Sequence, residues 1–287
     1  MPAIDIVCNL FTSQEVAQGQ TGLDDHFKAQ VRMPKSDWGG VEVEEYIRRM
    51  DSAGIERSFL VAVRCGDLNI RESFEIPYER IAEVCAAHPD RFSGLAGLDP
   101  TRGMQGLRDL EKGVEEYGFI GGHYYPHWFG YAPDHAKWYP YYAKACELGI
   151  PLMLQVGHNL IYSQTRRLPS VARPITLDQV AIDFPELKLI GIHIGVPWTD
   201  EMISMAWKHA NIYIGVDAYA PKHWPPSLIH YLNTYGRGKV LFGTDFPVIQ
   251  PERAVDEIKA MGLRPESYFA LMEGAARNVF SIPGSEA

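Results

Sequence analysis

The sequence predicts a single-domain (β/α)8 TIM barrel spanning residues 1–287, and three observations point there. Short apolar segments alternate with amphipathic ones from end to end, the pattern of strands joined through helical crossovers. The apolar segments number eight, as a closed barrel requires. Finally, Val240-Leu-Phe-Gly-Thr-Asp-Phe-Pro247 runs an apolar strand into a carboxylate, Asp245, near the end of the chain. A barrel of this length keeps its reactive groups at such strand ends.

Taken in order, Ala3 to Cys8 is the first strand. A mostly polar stretch of about thirty residues follows, to roughly Gly40, long for a compact domain and therefore a candidate lid. Val41 to Ala53 is amphipathic, with Val43, Ile47 and Met50 on one face and Gly54 suited to end it as a C′ residue. Ser58 to Val63 is the second strand, ending at Arg64. Ile76 to Ala87 is helical, and Phe92 to Leu98 is the third strand, ending at Asp99. Helix Gln105–Tyr117 leads to strand Phe119–Tyr125, and helix Ala136–Leu148 to strand Pro151–Val156. Helix Leu177–Phe184 leads to strand Leu187–His193, and helix Asp200–Lys208 to strand Ile212–Asp217. Helix Ser227–Tyr235 leads to strand Val240–Gly243, and helices Pro251–Met261 and Pro265–Val279 close the chain. No Gly-rich phosphate loop follows the first strand, which disfavours a dinucleotide-binding doubly wound sheet.

Composition narrows the function. The formal charge is −9 and no Lys/Arg run offers a phosphate track, which argues against nucleic acid and, more weakly, against an anionic membrane surface. No spanning segment is evident. The four cysteines, Cys8, Cys65, Cys85 and Cys146, form no CxxC pair and read as free thiols of a reducing cytosol. The expected protein is cytoplasmic, acts on a small molecule, and is compatible with a homo-oligomer.

In a barrel the residues at the strand ends are the shortlist for chemistry: Val7 and Asn9, Arg64, Asp99, His123 and Tyr125, Gln155 with His158, His193, Asp217 and Asp245. Asp245 is a candidate general base, the alternative being a turn aspartate that caps the next helix. His193 titrates near neutrality and suits polarising a carbonyl or protonating a leaving group, against a histidine satisfied by a backbone carbonyl. His123 and Tyr125 lie two apart on one strand and face the same side, for substrate hydrogen bonding or for packing. Arg64 is either a bidentate clamp for a substrate carboxylate or a partner of Asp67. The aromatic run Tyr124-Tyr-Pro-His-Trp-Phe-Gly-Tyr131 suits a flat, conjugated substrate at the pocket mouth, or packs its own rings over the rim.

The landmarks Met50-Asp-Ser-Ala-Gly-Ile55, Gly118-Phe-Ile-Gly121, Glu147-Leu-Gly-Ile-Pro151, His193-Ile-Gly195, Gly243-Thr-Asp-Phe-Pro247 and Ala276-Arg-Asn-Val-Phe280 together resemble the amidohydrolase superfamily. The likeness is to its amidohydrolase-related (amidohydrolase 2) branch, which includes aminocarboxymuconate-semialdehyde decarboxylase, resorcylate decarboxylases and pyrone-dicarboxylate lactonase. That resemblance implies a metal held by His-x-His on strand 1, a histidine on strand 5 and an aspartate on strand 8. Here the strand 1 positions are Val7 and Asn9 and the strand 5 position is Gln155; valine cannot ligate and neutral amides ligate poorly. The expectation is therefore no cofactor, with a divalent metal such as zinc as the alternative, held by His193 and Asp245 or by a set that adds His123 and His158. The expected activity is hydrolysis of a small carboxylated cyclic or aromatic compound, Asp245 acting as general base and His193 assisting. His123, Tyr125, Arg64, His158, Gln155 and Asn9 are the expected substrate-binding residues. Decarboxylation of an aromatic or conjugated acid is the second expectation, and a non-catalytic ligand-binding barrel the third.

Overall fold

The computed structural model describes residues 2–66, 73–159 and 168–284. Eight parallel strands form one sheet in chain order: β1 (Ala3–Cys8), β2 (Ile55–Ala62), β3 (Phe92–Gly97), β4 (Gly122–Tyr124), β5 (Leu152–Gln155), β6 (Leu189–Ile192), β7 (Ile212–Gly215) and β8 (Val240–Leu241). Closure comes from hydrogen bonds that join β8 and the residues after it to β1. The Ile6 amide donates to the Phe242 carbonyl (3.1 Å), the Asp245 amide to Val7 (2.9 Å) and the Asn9 amide to Phe246 (2.9 Å). The predicted (β/α)8 barrel is thus observed.

The strands formed where the sequence is apolar without alternation, because parallel strands covered by helices bury both faces; β1, β3, β5, β6 and β7 are buried at every residue. The helix Val43–Ala53 buries Tyr46, Met50 and Ala53 and ends at Gly54 in the left-handed region (φ 76°), as a C′ glycine does. No helix among the described residues is long and apolar enough to cross a membrane.

Four departures from the sequence reading have identifiable causes. The polar stretch after β1 is not a plain loop: it holds short helices at Ser13–Ala17, Asp25–Gln30 and Lys35–Asp37. Buried Glu15 ties it down, accepting from Arg80 (2.8 Å) and from the Thr12 hydroxyl. Second, β4 is shorter than Phe119–Tyr125; Ile120 already bonds the Gly94 carbonyl (3.0 Å), but the ladder itself begins at Gly122. Third, Arg64–Cys65 and Phe74–Glu75 pair as a small antiparallel ribbon above β2. Fourth, the last helix is interrupted by a π-turn, Ala270–Gly274, where the Leu271 carbonyl accepts from the Phe242 amide of the last strand (3.1 Å). A π-turn releases a carbonyl from the helical ladder for that purpose.

Candidate active site

Three ionisable side chains converge where β6, β7 and β8 end. His193 Nε2 lies 3.3 Å from Asp217 Oδ2 and 3.7 Å from Asp245 Oδ2. One ligand-type atom from each of the three falls within 4.8 Å of the others. The Asp217 carboxylate also accepts the His193 backbone N–H (2.9 Å), so it fixes both the strand end and the ring. Asp245 is held from the other side: Asn9 Nδ2 donates to its Oδ1 (2.8 Å) and to the Phe246 carbonyl (2.9 Å).

The backbone that aims these groups is strained. Among the described residues, five non-glycine residues have left-handed φ, and four of them are His193 (66°), Ile194 (47°), Ala218 (63°) and Asp245 (53°). Such conformations cost on the order of 1–3 kcal/mol each, and for β-branched Ile194 the geometry is a genuine outlier. The strain is concentrated at three neighbouring strand ends, where the three ionisable side chains meet. Gly243 permits the approach of β8, since a Cβ there would stand 3.0 Å from the Asp217 Cβ.

Electrostatics follow from burial. Burial pushes the Asp245 carboxyl up to about 7; His193 and the Asn9 hydrogen bond pull it down, and Asp217 raises it further. Burial works against charge on His193, yet Asp217 and then Asp245 hold its pKa above the ordinary imidazole value. His123 is fully buried, and burial, with His193 nearby, lowers it to about 3. It is therefore a neutral imidazole, its ring edge-on to Tyr125 at 4.4 Å between centroids.

Beside the cluster lies a partly enclosed pocket. Its floor includes Asn9, Gln155, His193 and Asp245, and its walls are mostly apolar, with Val63, Phe74, Tyr125 and Trp128 on one side. The segment after β1 covers it, contributing Leu23, Phe27 and Val31. No Lys or Arg lines the pocket among the described residues.

The expected site residues divide accordingly. His193, Asp245, Asn9, Gln155, Tyr125 and His158 all border the pocket. Gln155 Nε2 donates to the His158 carbonyl (3.1 Å), and the His158 ring meets Ser170 Oγ at 3.1 Å. His123 lies below the floor, and neither it nor His158 joins the three-residue cluster, so a metal set built on those two histidines is not assembled here. Arg64 does not face the pocket. It is buried, pairs with Asp109 (3.0 Å) and Glu75 (3.7 Å), and lies over the Tyr78 ring at 4.3 Å. Its other suggested partner, Asp67, lies outside the described residues. Of the aromatic run, Tyr125 and Trp128 line the pocket, while Tyr124 packs on Trp138 at 4.1 Å. Asp217 stood on the strand-end shortlist without a role. Its signal was an aspartate closing an apolar strand, the same signal that singled out Asp245.

Residues 70–282 match the amidohydrolase family. The chain belongs to that family. Among curated relatives, gamma-resorcylate decarboxylase of Polaromonas sp. (strain JS666) is 22% identical, the match covering 92% of this chain and 99% of the relative. Among solved structures, an uncharacterized TIM-barrel protein from Bordetella bronchiseptica superposes with a TM-score of 0.77 at 21% identity, covering 97% of this chain and 98% of the other. A dihydroxybenzoic acid decarboxylase from Polaromonas sp. JS666, with bound manganese and the inhibitor 2-nitroresorcinol, gives 0.70 at 19% identity over 97% and 96% of the two chains. For this amidohydrolase-family barrel, a divalent metal fits the residues present. His193 Nε2 and Asp217 Oδ2 are buried atoms without a hydrogen-bond partner among the described residues, and they face each other beside Asp245.

Proposed function

We propose that this chain is a decarboxylase of a small hydroxylated aromatic or conjugated carboxylic acid, with Asp245 moving the proton. The observation that carries the reading is the pocket: mostly apolar and partly enclosed, with no Lys or Arg along its described lining and with His193 and Asp245 bordering it. An enzyme that uses a substrate carboxylate only as a handle does well to clamp it with arginine. An apolar wall instead disfavours the carboxylate and favours its loss as neutral carbon dioxide, and it suits a flat ring. The decarboxylase relatives support this second of the sequence expectations over hydrolysis.

The chemistry asks for one mobile proton. A ring hydroxyl next to the carboxylate gives its proton to Asp245, which raises electron density on the ring carbon bearing the carboxylate. Asp245 then protonates that carbon; the C–C bond breaks, its electron pair returns to the ring, carbon dioxide leaves, and the phenolate left behind takes a proton from solvent. A carboxyl that works first as base and then as acid must reach the reacting atoms, and Asp245 borders the pocket. Asn9 orients the carboxyl through its hydrogen bond, and Asp217 orients the His193 ring. His193, Asp217 and Asp245 would hold a divalent ion, and such an ion supplies positive charge beside the substrate oxygens.

The test is carbon dioxide release from a panel of hydroxybenzoic acids that includes gamma-resorcylate, by wild type and Asp245→Asn. Release by the wild type alone is expected. Turnover of lactones or amides, with the acids untouched, would restore the hydrolase reading.

A further inference from the structure

We propose that the metal site of this barrel is built from β6, β7 and β8 alone, with Asp217 as the ligand that makes it possible, and that it holds one divalent first-row ion such as Mn²⁺. The inference deepens the decarboxylase reading but rests on separate observations.

Consider what the strand ends offer. At the end of β1 stand Val7, whose side chain has no ligating atom, and Asn9, a neutral amide whose Nδ2 donates to Asp245 and the Phe246 carbonyl and whose oxygen is a poor ligand. At the end of β5 stands Gln155, a neutral amide whose Nε2 donates to the His158 carbonyl and whose oxygen is a poor ligand. Among the described residues, neither of these strand ends adds a strong ligand to the cluster, and His158, though it borders the pocket, does not join it. On the opposite side, His193, Asp217 and Asp245 turn one nitrogen and two carboxylate oxygens toward a common point. Ligand atoms around an ion bound at about 2.0–2.2 Å stand about 3 Å apart; here His193 Nε2 is 3.3 Å from one oxygen and 3.7 Å from the other. Only small side-chain rotations separate this arrangement from a coordination sphere.

The second observation is that the atoms aimed at that point have only one another, at ion-pair rather than hydrogen-bond geometry. His193 Nε2 and Asp217 Oδ2 have no hydrogen-bond partner among the described residues, and both side chains are at least nine-tenths buried. Buried polar atoms without a hydrogen bond are costly, and an ion between them would relieve both. The oxygens not aimed there are fixed elsewhere, Asp217 Oδ1 on the His193 amide and Asp245 Oδ1 on Asn9. Each carboxylate is thus oriented by a hydrogen bond to its other oxygen, as outer-shell partners orient metal ligands. Charge agrees as well: a neutral imidazole and two carboxylates balance a divalent ion. Two carboxylates and one imidazole favour manganese over a thiophilic metal.

The experiment titrates chelator-treated full-length protein with Mn²⁺, following free Mn²⁺ by its electron paramagnetic resonance signal. One ion per chain is expected for the wild type and for Gln155→Ala. For Asp217→Asn, roughly tenfold or weaker binding is expected, with an unchanged far-UV circular dichroism spectrum. Should Asp217→Asn misfold, X-ray absorption of the zinc-loaded wild type decides alone, because it counts imidazoles: one is expected, with oxygen ligands besides. Wild type that binds no ion, Asp217→Asn that binds like wild type, or two or more imidazoles at the ion would each overturn the proposal. Carbon dioxide release by the ion-free protein would overturn the ion's place in the reaction and leave decarboxylation standing. An ion bound as described, without release from any acid, would do the reverse.

Discussion

Two buried carboxylates, only a few residues from one another across the β1–β8 seam, have opposite surroundings. Asp5 on β1 is fully buried and supplied with donors: the Val7 amide (3.2 Å), the Thr244 amide (2.9 Å) and the Thr244 hydroxyl (2.5 Å). Thr244 Oγ1 in turn accepts the Phe246 amide (3.0 Å). Asp245, the next residue after Thr244, receives a single side-chain donor, from Asn9, and faces the pocket beside His193 and Asp217. Burial moves both carboxyls to about 7, so a shifted pKa does not tell the two apart. Hydrogen-bond satisfaction does. A carboxylate ringed by backbone donors is part of the frame; one left short of donors beside two other ionisable groups is available for chemistry. Asp5 holds the turn that sets Asp245 in its left-handed conformation.

The comparison breaks most visibly at Asp245. Asp245→Asn should lower turnover by about 10²–10⁴-fold, measured as carbon dioxide release, with the urea midpoint almost unmoved. Asp5→Ala should do the opposite first. It orphans two amides and a hydroxyl in the core and should cost about 3–5 kcal/mol in urea unfolding, whereas Asp5→Asn keeps an acceptor for the amides and should cost less than half of that. Equal stabilities for the two Asp5 variants would remove the frame role.

Acidity sharpens the same contrast. Burial raises the folded-state pKa of Asp5 from 3.8 to about 7, so the folded protein binds the proton more tightly than the unfolded chain. Its contribution to stability is present in full below about pH 4 and is lost as pH rises toward and through 7, by up to about 4 kcal/mol at ~1.4 kcal/mol per unit. Urea unfolding of Asp5→Asn should show a flatter pH dependence over that window than the wild type. A smaller effect belongs to Arg64. Arg64→Met removes a buried pair while Asp109 keeps Arg102 at 2.9 Å; a loss of about 1–3 kcal/mol is expected, with KM for the acid unchanged. A tenfold rise in KM at unchanged stability would return Arg64 to the role of carboxylate clamp. The smallest expected effect is at the exposed pair Arg48–Glu45, where Arg48→Ala should shift stability by no more than about 0.5 kcal/mol.

The barrel was legible because parallel strands buried on both faces leave uninterrupted apolar runs, and His193 and Asp245 were legible because such runs end on them. Asp217 closes a run in the same way. What makes it a member of the cluster is the set of left-handed turns at His193, Ala218 and Asp245, which local propensity does not announce. Arg64 illustrates the other limit: its partners, Asp109 on the helix after β3 and Glu75 on the ribbon, come together only in the fold. The helices in the segment after β1, five, six and three residues long, are too short to show a helical period, so a polar stretch was all the sequence displayed. Exposed His26, within the second of them, does not border the pocket.

The most direct test runs the reaction in deuterium oxide with gamma-resorcylate and related hydroxybenzoic acids, and weighs the products. The account predicts a product that has lost carbon dioxide and carries deuterium at the vacated ring carbon, formed by the wild type and not by Asp245→Asn. A product that has gained water, or an Asp245→Asn variant that releases carbon dioxide as fast as the wild type, would contradict it.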